Sequence, residues 1–223
     1  MHANKALDVY GDVIESDKDL LKFAENLCPT SKLVTIPVFT PSMPLNNCYW
    51  NVDLLVRKHG GSSVLGWRFS ATKHSHILAV HHAVYHTPEG EVVDVTAQDN
   101  FAYPKGKTVF LPDDSIPIDV STPSSIECKF HITNNNLYTR NYIDSYKRFH
   151  NLEVKFAEAL KNAGYKNQNQ FALAEGRQPV PHPFTLEQGK DLTSIQEMMK
   201  KRSAQVQNSL QLLHAFISRG KKM

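Results

Sequence analysis

The hydrophobic positions change their period four times along the chain. Between Asp17 and Asn26, continuing to Leu27, the residues Leu20, Leu21, Phe23 and Ala24 form a short apolar face, which predicts a helix closed by Pro29. Leu33 to Phe39 is rich in β-branched residues and reads as a strand, with Pro37 weakening it or placing it at a sheet edge. Thr40 to Asn47 carries Pro41, Pro44 and a pair of asparagines and reads as a loop. From Cys48 to His59 the apolar residues Tyr49, Val52, Leu55 and Val56 return at helical spacing, and Gly60-Gly61 ends the run. Cys48 therefore stands at a loop-to-helix junction.

After the glycines the pattern is that of strands. Ser63 to Ser70, Ile77 to His86 and Glu91 to Thr96 fit strands, and Thr87-Pro-Glu-Gly is a turn that joins the last two as a hairpin. Lys107 to Leu111 and Ser125 to Thr133 are further strands, separated by Pro112, Pro117 and Pro123. From Tyr138 the period is helical again. Tyr142, Tyr146, Phe149, Val154, Phe156, Ala157 and Leu160 stripe one long helix that ends at Gly164. A polar, proline-bearing stretch follows from Asn167 to Pro183, and a last helix is expected from Leu192 to Ile217. This order gives an α+β fold: a catalytic-type core over 1–135 with an antiparallel sheet, and a helical C-terminal part over 136–223 that packs on the core or mediates homo-oligomer formation.

Length and charge narrow the classes. The 223 residues suffice for one domain with a helical extension, and 41% hydrophobic content excludes a fully disordered chain. A net charge of +3 argues against a nucleic-acid partner, and no apolar run reaches the roughly 20 residues that span a bilayer. The first residues are polar and acidic and do not read as a secretory leader, which suggests a cytoplasmic location or export by a route that leaves no classical signal.

The candidate chemistry lies in the cysteines and histidines. Cys28, Cys48 and Cys128 are too few and too scattered for a disulfide framework or a paired-cysteine metal site. Cys28 precedes a proline at a helix end, and Cys128 lies in a strand pattern. Cys48 alone begins a helix, where unpaired N–H groups and the helix dipole favour a thiolate and offer donors to an oxyanion. A nucleophilic thiol needs a base, and the base an orienting acid. Leu78-Ala-Val-His-His-Ala-Val-Tyr holds His81 and His82, and the hairpin brings this strand against Asp94, a carboxylate set among Val92, Val93 and Val95. Such a carboxylate is costly unless it is paired, and a neighbouring histidine would pair it. Adjacent strand residues face opposite sides, so only one of His81 and His82 can point at the thiol.

The segment from His82 through Thr87-Pro-Glu-Gly to Asp94-Val-Thr resembles the histidine strand, turn and aspartate strand of transglutaminase-like members of the papain-like cysteine enzymes. Asn47-Cys48-Tyr-Trp-Asn-Val resembles their cysteine at the head of a helix, and together with Gly66-Trp67 it also resembles a group of poorly characterised bacterial proteins. Protein N-terminal glutamine amidohydrolases share the triad order. The resemblance spans Asn46 to Thr96, and the chain lacks the tryptophan-rich surroundings of the full transglutaminase pattern. It implies a papain-like core with Cys48 as nucleophile, His82 as base and Asp94 as orienter. The activity it implies is hydrolysis of, or acyl transfer from, a peptide, protein or small amide, of peptidase, amidase or glutamine deamidase type. Cys48 N–H, Asn46 and Asn47 are candidate oxyanion donors, and Trp50 and Trp67 candidate walls of a substrate pocket.

Two other readings stay open. The core is an inactive scaffold for a protein partner, or His74, His76, His81, His82 and His86 bind a metal with Asp94. No HxxxH or HExxH helix supports the second reading, so neither a metal nor a cofactor is expected.

Overall fold

The computed structural model describes residues 10–11, 13–96 and 106–220. The residues before Tyr10, on which the reading of the N-terminus rests, lie outside it. The element order is β1 (Tyr10–Gly11), α1 (Lys18–Leu27), β2 (Val34–Met43), α2 (Cys48–His59), β3 (Ser62–Thr72), β4 (His76–His86), β5 (Val92–Thr96), β6 (Lys107–Pro112), β7 (Lys129–Ile132), α3 (Leu137–Asn162), α4 (Gln168–Ala174) and α5 (Leu186–Gly220). Among the described residues no helix is long and apolar enough to cross a membrane.

The fold is α+β, and its sheet closes on itself. β3 and β4 pair antiparallel over their full length, from Ser62 opposite His86 to Thr72 opposite His76. β3 continues to β6, β6 to β2, β2 to β5, and β5 back to β4, so five strands form a ring. The β2–β5 pair is parallel, so the sheet is mixed where an antiparallel one was expected. Beyond the ring the β3–β4 hairpin projects as an arm, and β1 and β7 pair with that arm.

β2 departs most from the sequence reading. It lies between two strands, not at an edge, and continues through the expected loop to Met43. Pro37 is accommodated because the β6 ladder ends with it, opposite Lys107, and the β5 register is interrupted between Val38 and Met43. Two smaller departures are the contraction of the expected Ser125–Thr133 strand to Lys129–Ile132 and the appearance of α4 within the polar stretch. α5 starts ahead of Leu192, at Leu186.

Strand alternation sorts the side chains. Even-numbered positions of β3 to β6 face the ring interior, where Ile36, Val84 and Phe110 pack with Val64 and Val92. Odd-numbered positions face outward. Trp67, Phe69, Ile77, Ala79, Val109 and Leu111 meet Leu20, Phe23 and Ala24 of α1, while Ala83, Tyr85 and Val95 meet Val52 of α2. Each such large side chain, fully buried, stabilises by about 1.5–3 kcal/mol. α3 and α5 pack together through Tyr142, Ile143, Val206, Leu213 and Ile217, and Tyr10 and Phe130 of the arm join them. Part of each C-terminal stripe is thus buried within the chain. α4 also touches the core, because Asn47 Nδ2 donates to the Gln170 carbonyl at 3.1 Å.

Candidate active site

Inside the ring, the end away from the apolar plug is polar. Arg68, His82, Asp94 and Thr108 have the same parity as the plug residues on their strands and are buried there. His82 Nε2 donates to Asp94 Oδ1 at 2.9 Å. Asp94 Oδ1 also accepts from the Thr96 N–H at 3.1 Å, and Oδ2 accepts from Thr108 Oγ1 at 2.7 Å. Arg68 Nη1 lies 3.9 Å from Oδ2. The carboxylate is therefore held by groups from four strands, β3, β4, β5 and β6.

The β4–β5 ladder explains how Cys48 reaches this group. Its pairs are His86 with Val92 and Tyr85 with Val93. Beyond them the strands separate, and Asp94 is a diagonal neighbour of His82 and not its direct cross-strand partner. The head of α2 enters this gap. There the Cys48 thiol meets the His82 ring and the Ala83 backbone N–H, which both favour its thiolate, and His82 Nε2 is turned to Asp94.

The electrostatics of the three groups agree. Burial alone would raise the Cys48 pKa. It is nevertheless lowered, because the His82 charge and hydrogen bond, the Ala83 N–H and the Arg68 charge outweigh burial. Burial and Arg68 oppose protonation of His82, yet its pKa is raised by the thiolate and by its bonds to Asp94 and Cys48. Burial also opposes the Asp94 charge, but the His82 bond and charge, Arg68 and Thr108 hold its pKa at about 2. This is the pattern of a thiolate–imidazolium pair backed by a fixed carboxylate.

His81 has different neighbours. Its Nδ1 lies 2.8 Å from Tyr49 Oη, its ring meets Trp67 edge-on at 5.1 Å, and burial lowers its pKa to about 4. Successive residues of β4 thus engage successive residues of α2, His81 with Tyr49 and His82 with Cys48.

The weaker candidates separate. Asn47 is buried, and its amide donates to Asn51 Oδ1 and to the Gln170 carbonyl, both at 3.1 Å. It makes no side-chain cap for α2, so it does not compete for the first N–H groups of that helix. Asn46 is exposed, in a left-handed conformation (φ 59°), and borders a cavity beside Arg68. Trp50 Nε1 donates to the Val120 carbonyl at 2.8 Å. Trp67 is not brought to the triad. It faces outward from β3, on the side opposite Arg68, and its Nε1 donates to Asp113 Oδ2 at 2.8 Å.

The other histidines disperse. His74 occupies a turn with φ 54°, His76 bonds Ser75 Oγ at 2.8 Å, and His86 lies 3.4 Å from Ser62 Oγ. Among the described residues no three His, Cys, Asp or Glu side chains converge as a metal site.

Arg68 and Thr108 were not singled out from the sequence. The available signal was a polar residue within an otherwise apolar strand, Trp67-Arg68-Phe69 and Thr108-Val-Phe-Leu. Comparison of the chain with protein-family models, curated proteins and solved structures returned no match.

Proposed function

We propose that this protein is a thiol-dependent amide hydrolase or acyl transferase, with a papain-like, transglutaminase-like core and a Cys48–His82–Asp94 triad. The observation that carries this reading is the continuous contact from a thiol at a helix head, through one imidazole, to a buried carboxylate that accepts three hydrogen bonds. In this mechanism the Cys48 thiolate attacks the amide carbonyl, forming the sulfur–carbon bond. N–H groups at the head of α2 stabilise the oxyanion. The imidazolium of His82 gives its proton to the leaving nitrogen as the carbon–nitrogen bond breaks. Water or an amine, deprotonated by His82, then cleaves the thioester. Asp94 keeps the ring oriented throughout. Substrates of this class include peptides, protein glutamines and small amides. Three free thiols suit a reducing compartment such as the cytoplasm.

The test is labelling of the full chain with an iodoacetamide-based thiol probe, with the modified residue located by mass spectrometry. Cys48 should react well ahead of Cys28 and Cys128 at pH 6, and His82→Ala should remove that advantage. Equal reactivity of the three thiols, unaffected by His82→Ala, would sink the reading.

A further inference from the structure

A cavity of about 290 Å³ is lined by Arg68, whose guanidinium lies 3.9 Å from Asp94 of the triad. One wall is the interior-parity face of the β3–β4 arm, with Arg68, Ser70 and Val80. Leu45 and Asn46, just before Cys48, form a second wall, and Tyr142 of α3 and Leu210 of α5 close it. The volume is at the lower end of small-molecule sites and suits a fragment the size of one or two amino acids. Its described lining contains no carboxylate and one permanent charge, the guanidinium of Arg68. That side chain is buried, lies 3.9 Å from Asp94, and acts electrostatically on Cys48, His82 and Asp94. Arg68 pairs across the hairpin with Val80, two residues from His82 on the same face, so the cavity and the reacting groups share one wall.

We propose that this cavity is the acyl-donor subsite and that it takes a compact acyl group bearing a carboxylate, anchored by Arg68. The proposal rests on the reading of Cys48 as nucleophile and adds its substrate class. A guanidinium attracts a carboxylate by charge and by charge-assisted hydrogen bonding, and a partly enclosed site strengthens that attraction over its value in water. A cationic acyl group is disfavoured there by the same charge. The C-terminal helices become part of the site, because Tyr142 and Leu210 complete its wall.

The experiment compares two alkylating reagents of nearly equal size, iodoacetate and iodoacetamide. With both, the thiolate forms a sulfur–carbon bond as iodide leaves, and only the first carries a carboxylate. Rates at Cys48 are measured on the full chain, with Cys28 as internal reference. Relative to Cys28, iodoacetate should be favoured at Cys48 by about tenfold over iodoacetamide. Arg68→Gln should abolish the preference. That variant removes a buried charge, so a second pair is placed at the half-buried Leu210. Leu210→Glu should lower the ratio of iodoacetate to iodoacetamide rates at Cys48, and Leu210→Lys should raise it.

Fast, His82-dependent labelling by iodoacetamide with no preference for iodoacetate, and indifference to charge at Leu210, would overturn the subsite while leaving the nucleophile standing. Loss of the His82-dependent advantage with both reagents would instead remove the nucleophile reading on which the subsite rests.

Discussion

Tyr49 Oη and His81 Nδ1 lie 2.8 Å apart, so the residue after the candidate thiol is tied to the residue before its histidine. The same hydroxyl lies 3.3 Å from the His81 carbonyl. This contact fixes the head of α2 against β4 from the outer face, while Cys48 meets His82 from the inner one. Tyr49→Phe keeps the ring and removes the hydroxyl. It should lower stability by about 1 kcal/mol in urea unfolding and slow alkylation of Cys48 without abolishing it. Unchanged stability and unchanged Cys48 reactivity would mean the contact positions nothing.

Asp94→Asn preserves the shape but removes the charge that favours imidazolium. The His82 pKa should fall and the Cys48 thiolate should lose its counter-ion. In the pH profile of Cys48 alkylation, the acidic limb should move to higher pH while the rate at high pH persists. Turnover of any amide substrate should fall by roughly 10²- to 10⁴-fold, the range of general acid–base contributions.

Thr108 donates to Asp94 from β6 at 2.7 Å. Thr108→Val leaves a buried carboxylate oxygen short of a donor, at a cost of about 1–3 kcal/mol. It should also shift the same acidic limb of the alkylation profile, by less than Asp94→Asn does. Thr108→Ser restores the hydroxyl and should return the profile toward wild type. A shift that Ser fails to rescue points to packing of the methyl group instead.

Stability should fall on mild acidification. Burial lowers the pKa of His76 from 6.5 to about 4, with the His214 charge adding to it. Burial likewise lowers His81 from 6.5 to about 4. The unfolded chain takes up these protons near pH 6.5 and the folded chain only near pH 4. Between those values the unfolded state binds more protons, so stability present above pH 6.5 is lost as pH falls. The slope approaches about 1.4 kcal/mol per pH unit for each histidine. His76→Gln should flatten the dependence of the urea midpoint on pH between 6.5 and 4. A slope identical to wild type would contradict this assignment.

Gly66 stands opposite His82, and an added Cβ there would meet the Leu111 carbonyl oxygen and the Phe110 ring. Gly66→Ala should destabilise by about 1–3 kcal/mol, read as a lower urea midpoint. Gly189, in α5, has open space at its Cβ and no left-handed backbone. Gly189→Ala should therefore be neutral or stabilise by about 0.5–1 kcal/mol.

Local signals carried much of this structure. The helix from Cys48 to its glycine stop is visible in apolar period and in Gly60-Gly61, and Gly60 takes a positive φ there. The β4–turn–β5 hairpin follows from Thr87-Pro-Glu-Gly, and the placement of Cys48, His82 and Asp94 on a helix head and two strands required no more than that. These features depend on neighbours close in sequence. Closure of the sheet does not. The parallel β2–β5 pair and the β3–β6 pair join segments dozens of residues apart, and prolines in β2 hid its central place. Strand parity shows that His81 and His82 face opposite ways but not which way is inward, so ring closure decided which histidine meets Asp94. It also buried Arg68 and Thr108, whose partner no local pattern names, beside the same carboxylate. The sequence by itself determined which elements form and which residues they carry, because period and turn chemistry are local. Only the tertiary structure decided which faces enclose the thiol, because that choice depends on burying an apolar plug and a charged cluster inside one closed sheet.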